Sequence, residues 1–129
     1  MSKRVLPVLA ASLLALTAAI SAHALTVKEY LEIARGENPN AAPEVLLVYV
    51  WGVADGLESA NEVARATTGS PLYCPPGGEL SFSVETFKSM IDREILRLER
   101  EEQAFETLSA DMPIGIVALK MLSERYPCP

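Results

Sequence analysis

Histidine is almost missing from this chain. His23 is the only one, and it falls in a stretch that reads as an export signal. Imidazole is the usual general base and the commonest transition-metal ligand. Its absence from the rest of the chain excludes Ser–His and Cys–His nucleophilic catalysis and most zinc sites. Cysteine is scarce too: Cys74 and Cys128 stand far apart, with no Cys-x-x-Cys, which disfavours a redox-active dithiol and haem attachment. No Asp-x-Asp-x-Asp-Gly loop is present to hold calcium. Gly77-Gly78 lacks the following Lys and the preceding strand of a phosphate loop. Acids are plentiful, but they fall on wet helix faces beside basic neighbours, a poor setting for paired catalytic carboxylates. The expectation is a binding protein with no cofactor, no metal and no enzymatic activity.

What is present begins with the amino terminus. Ser2-Lys3-Arg4 is a short positive start, Val5 to Ile20 is apolar apart from Pro7, Ser12 and Thr17, and Ala22-His23-Ala24 is a small-x-small cleavage site. These three parts in this order make a secretory signal over residues 1–24. The apolar run is short for a bilayer span of ~20 residues, and a retained N-terminal anchor is the alternative. Leu25 follows the cleavage site, so there is no Cys for lipid attachment. Removing residues 1–24 leaves 105 residues, one small domain, and takes Lys3 and Arg4 with it, so the net charge goes from −6 to −8. Such a surface repels phosphate backbones and anionic membranes and suits a basic protein partner. In an exported chain the cysteine pair reads as one disulfide, Cys74–Cys128, closing a loop of about 55 residues and contributing about 4 kcal/mol.

The remaining pattern is helical throughout: an all-α bundle of four to five helices. Thr26-Val27-Lys28-Glu29 is a capping box, and the helix it opens ends near Arg35-Gly36, with Val27, Tyr30, Leu31 and Ala34 as its apolar stripe. A long second helix runs from about Pro43 to Ala66, with Leu46, Val50, Val53, Leu57, Ala60 and Ala64 facing a core and Asp55, Glu58, Glu62 and Arg65 facing water. Gly52 and Gly56 lie four apart on it. Glycine inside a helix costs about 1 kcal/mol relative to Ala, which close approach of another helix would offset. Packing within the fold is the expected use, with a homodimer seam as the alternative. A loop follows from Thr67 to Glu79, and Leu80-Ser81-Phe82 extends briefly. The third helix opens at Ser83 with Glu85 in its first turn, and Phe87, Ile91, Ile95 and Leu98 face inward. A break is expected between Glu106 and Asp111, and a last helix is capped by Ser109 or Asp111 with Pro113 in its first turn.

Three segments together resemble a known family. Tyr49-Val50-Trp51-Gly52-Val53-Ala54-Asp55-Gly56, then Leu72-Tyr73-Cys74-Pro75-Pro76, then Tyr126-Pro127-Cys128-Pro129, resemble the Rap/Tai family of type VI secretion immunity proteins. The resemblance spans nearly all of residues 25–129. It implies a small periplasmic α-helical domain with an intramolecular disulfide that binds a cognate secreted effector, typically a peptidoglycan amidase, and blocks its active site. Cys74 and Cys128 carry over as the disulfide; no inhibitory residue carries over. The candidate contact surface is instead the acidic stretch of Glu101, Glu102, Gln103, Glu106 and Asp111 beside the expected helix break, where a loop can enter a cleft. An ordinary solvated helix end is the alternative reading of those residues. The alternative function is an HdeA-like periplasmic acid-stress chaperone, also small, helical and disulfide-tied, and a structural subunit of an envelope complex is a third class.

Overall fold

The structure is a computed structural model, described here over residues 24–101 and 110–129. The export-signal reading of residues 1–23 lies outside the described residues, as do Glu102, Gln103, Glu106 and Ser109. The described residues form four α-helices: α1 (Val27–Ala34), α2 (Val45–Thr68), α3 (Val84–Arg100) and α4 (Ile114–Arg125), with a 3-10 turn at Pro76–Gly78. No helix among the described residues is long and apolar enough to cross a membrane.

Local chemistry sets the helix ends. The Thr26 hydroxyl accepts from the Glu29 N–H at 3.3 Å, and the Glu29 carboxylate accepts from the Thr26 N–H at 2.8 Å, a complete capping box. Gly36 and Gly69 follow α1 and α2 with φ of +70° and +73°, the left-handed backbone that ends a helix without a Cβ clash. Ser83 caps α3 by accepting from the Thr86 N–H at 3.2 Å. α2 runs two residues past Ala66. The Thr67 and Thr68 hydroxyls each donate to a carbonyl one turn back, on Val63 and Ala64, at 2.7 Å, within the last turn of the helix.

α4 begins differently from the sequence reading. Pro113 is its N-cap residue, not a first-turn residue, and Asp111 does not cap it. Residues 110–114 are held against the start of α1 instead. Lys28 and Val27 donate backbone bonds to Ala110 and Met112, Ile114 donates to Leu25, and Thr26 bridges Pro113. Those bonds hold residues 110–112 in a turn and keep Pro113 extended, so the helix begins only at Ile114.

One core holds the bundle. Tyr30, Leu46, Val50, Phe87, Ile91, Ile95, Ile114, Val117 and Leu122 are fully or almost fully buried in it. α2 packs against α1, α3 and α4, and α3 packs against α4. On α1 the buried set is Val27, Tyr30 and Ile33; Ala34 is exposed and Leu31 only partly covered. Buried on α3 are Phe87, Ile91 and Ile95 as the spacing requires, with Met90 added. Leu46 and Val50 are buried on α2 and Val53 and Leu57 partly so, but Ala60 is exposed. Cys74 and Cys128 form the disulfide, with Cα atoms 5.0 Å apart. The Cys74 N–H also donates to the Tyr126 carbonyl at 2.8 Å, so the chain end is fastened to the loop after α2.

Gly52 and Gly56 require a correction. Both are exposed, and a Cβ on either would meet nothing within 4 Å. No helix among the described residues approaches them. The three partners of α2 cover the side bearing Leu46, Val50 and Leu57, and the glycines lie on the opposite one.

Candidate functional site

The outward side of α2 carries the site. Val48 is 71% exposed and Trp51 68%, one turn apart, with Gly52 and Asp55 completing a shallow hollow around them. Val63 is exposed further along the same helix. A buried-core helix in a small domain covers one stripe, and large apolar groups on its other side need a different reason.

Beside this side lies a groove formed by α2 and the segment from Tyr73 to Val84. It has two halves. The acidic half is a cleft of about 550 Å³ lined by Asp55, Glu58, Glu62 and Glu79, with Asn61, Tyr73, Pro75 and Leu80 among its other walls. The apolar half, about 370 Å³, is lined by Trp51, Ala54, Leu80, Phe82, Val84 and Phe87. Asp55, Glu58 and Leu80 line both, so the halves are continuous. Phe82 stacks on Phe87 with ring centres 5.5 Å apart, which fixes the apolar wall.

Asn61 builds the groove. It is only 3% exposed, the one buried polar residue of the described core. Its side-chain carbonyl accepts from the N–H groups of Leu72 and Tyr73 at 2.7 and 3.1 Å, and its amide donates to the Tyr73 carbonyl at 3.1 Å. The segment leading into Cys74 is thereby stitched to α2. Farther along, the Glu58 carboxylate accepts from the Leu80 N–H at 3.0 Å and pins the other end of the loop. Glu58, read from sequence as a wet-face residue, is therefore also structural. Asn61 was missed by sequence reading, although a signal existed: it continues the apolar register of Leu46, Val50 and Leu57, where a polar residue needs a buried partner.

Tyr73 is 1% exposed and lines the acidic half, yet its hydroxyl has no hydrogen-bond partner. Burial, and then the charges of Glu58 and Glu62, push that hydroxyl up to about 12, so it keeps its proton at neutral pH. Glu62 pairs with Arg65 at 3.1 Å on the open side of α2.

The acidic stretch expected to contact a partner is only partly described. Glu101 ends α3 as its C-cap and pairs with Arg97 at 2.7 Å, and Asp111 is exposed in the turn before α4. Arg97 is itself shared with Glu94, at 2.6 Å, and Lys120 of α4 approaches Glu94 at 3.9 Å. The Arg97 hydrogen bond holds the Glu94 carboxyl below its ordinary range, against the opposing effect of partial burial. This network joins α3 to α4 and ties Glu101 into the scaffold. No group of three or more His, Cys, Asp or Glu residues among those described is placed to hold a metal ion.

Compared with protein-family models, curated proteins and solved structures, the chain matches none. The resemblance to the Rap/Tai family therefore rests on the residues that carry it, from Tyr49 to Gly56, Leu72 to Pro76 and Tyr126 to Pro129.

Proposed function

We propose that the protein is a periplasmic immunity protein that binds a secreted cell-wall-degrading effector, a peptidoglycan amidase, and occludes its cleft. The observation that carries the reading is the outward side of α2, where exposed Trp51 and Val48 adjoin a bank of carboxylates. Exposed tryptophan beside a charged rim is the composition of a protein-binding surface, with the aromatic as anchor and the charges steering the encounter. The disulfide supports an oxidising compartment. A negative balance of 17 acids against 11 bases supports a basic partner surface. The sequence resemblance supplies the class of effector.

The test is growth protection. The full chain is co-expressed with a candidate amidase effector directed to the periplasm, beside a Trp51→Ala variant whose thermal melt matches wild type. Protection by wild type that is lost or greatly reduced in Trp51→Ala is the expected result. Failure of folded wild type to protect against any co-encoded amidase removes the immunity reading. Suppression of unrelated protein aggregation only at low pH would establish the chaperone class instead.

A further inference from the structure

We propose that the acidic cleft between α2 and the loop after it is a receptor for an arginine side chain of the partner protein, which rests on the reading of this chain as a protein-binding module. Four carboxylates, Asp55, Glu58, Glu62 and Glu79, line one cleft; Glu62 pairs with Arg65, and Glu58 accepts from the Leu80 N–H. A cationic ligand is what such a wall prefers. The carboxylates do not converge on a point that could hold a metal ion. A spread of acceptors suits an extended cation, and the guanidinium is the one with five N–H donors in a planar fork.

The second observation is independent of the acids. The Tyr73 hydroxyl is the one buried side-chain polar atom among the described residues without a partner, and Tyr73 is one of the residues that line the cleft. A buried polar group left unpaired is destabilising, and native structures keep such groups where something else completes them. A protonated phenol beside carboxylates can donate to one of them and accept from a guanidinium N–H at the same time. The apolar half supplies the rest of the recognition. Trp51 and Phe82 offer faces against which a guanidinium or its aliphatic stem can lie, and the shared Asp55 and Glu58 make one continuous seat.

The proposal commits to a side chain displayed on a protein, not to free arginine or a polyamine. Free arginine carries an α-ammonium and an α-carboxylate where a displayed residue has neutral amides, and a polyamine lacks the planar fork. The experiment is nuclear magnetic resonance titration of the oxidised protein, expressed from the full chain, with N-acetyl-arginine amide, N-acetyl-citrulline amide, L-arginine and spermidine. Saturable shifts at Asp55, Glu58 and Leu80 with acetyl-arginine amide are expected, together with a change in Trp51 fluorescence. The neutral citrulline isostere should bind at least about tenfold more weakly, the loss expected when a charge-assisted hydrogen bond is removed, and L-arginine and spermidine should each bind more weakly than acetyl-arginine amide. Asp55→Asn with Glu62→Gln should abolish saturation. Tyr73→Phe should weaken it several-fold without lowering the melting temperature, because the variant removes an unpaired buried hydroxyl.

Shifts that do not saturate, or that are equal for spermidine, L-arginine or citrulline amide, overturn the proposal. So does wild-type affinity in Tyr73→Phe. Growth protection separates the two readings. If protection persists in the Asp55→Asn, Glu62→Gln double variant, the receptor proposal fails and the immunity reading stands. If the cleft binds acetyl-arginine amide selectively but folded wild type gives no protection, the immunity reading fails and the site stands.

Discussion

Replacing Asn61 by Ala should be among the most damaging single changes in this protein, and the structure sets its size. The side chain satisfies three backbone groups: the N–H of Leu72 and both the N–H and carbonyl of Tyr73. Leu72 is 40% exposed, so its N–H can turn to water when the amide is gone. Tyr73 is buried, and its two backbone groups would be stranded. At about 1–3 kcal/mol for each unsatisfied buried group, Asn61→Ala should cost about 2–6 kcal/mol. For a domain of this size the lower end already moves the melting temperature by about 8 °C. The assay is thermal and urea unfolding of the oxidised protein, with the disulfide verified in both variants so that its loss cannot account for the change. Asn61→Asp is the sharper companion. It keeps the acceptor for both N–H groups but sets a carboxylate oxygen against the Tyr73 carbonyl, beside Glu58 and Glu62. It should be destabilised at neutral pH and recover as acid protonates the new carboxyl, which can then donate. A melting shift below about 4 °C for Asn61→Ala would refute the argument that this amide stitches the groove to α2.

Cys128→Ser should cost about 2–5 kcal/mol, because the bond closes a long loop that ties the chain end to the groove; mass spectrometry of unreduced peptides and urea unfolding check it. Gly52→Ala and Gly56→Ala should each stabilise by up to about 1 kcal/mol in urea unfolding, since both positions are open helix interior with nothing for a methyl to meet. Unchanged or lower stability in both would show that the outward side of α2 is covered in solution. Tyr30 donates its hydroxyl to Asp92 at 2.6 Å, and burial first, then that bond, push it well above the usual phenol range. Its neutral form is the one the fold favours, so its contribution is complete below about pH 10 and is lost as pH rises beyond that. Tyr30→Phe should cost about 1 kcal/mol at neutral pH and show a shallower loss of stability above pH 10, read from urea midpoints across pH.

The features legible in the sequence are those whose physics is local or forced. Thr26 and Glu29 satisfy each other within one helical turn, and Ser83 reaches an N–H three residues on, so the starts of α1 and α3 follow from neighbours alone. Gly36 stops α1 for the same kind of reason. With only two cysteines there is one intramolecular pairing, and the structure has it. Apolar periodicity likewise reveals a core face on α3, where Phe87, Ile91 and Ile95 repeat at helical spacing.

What only the tertiary structure decided is which surfaces receive a neighbour. A pair of glycines four apart is compatible with a tight helix crossing and with bare surface; three helices covered the other side of α2, and Gly52 and Gly56 were left open. Pro113 could have begun the first turn of α4, but bonds from residues more than eighty positions away in the chain, at Leu25 to Lys28, kept it extended. Asn61 interrupts an apolar register and looks unfavourable until Leu72 and Tyr73 fold back over it. Trp51 lies off the inward stripe of Leu46, Val50 and Leu57, but only the assembled helices show that it stays 68% exposed. Hydrogen-bonding capacity and apolar surface are properties of residues, whereas burial is a property of the assembled helices, and the groove beside α2 exists only in the latter.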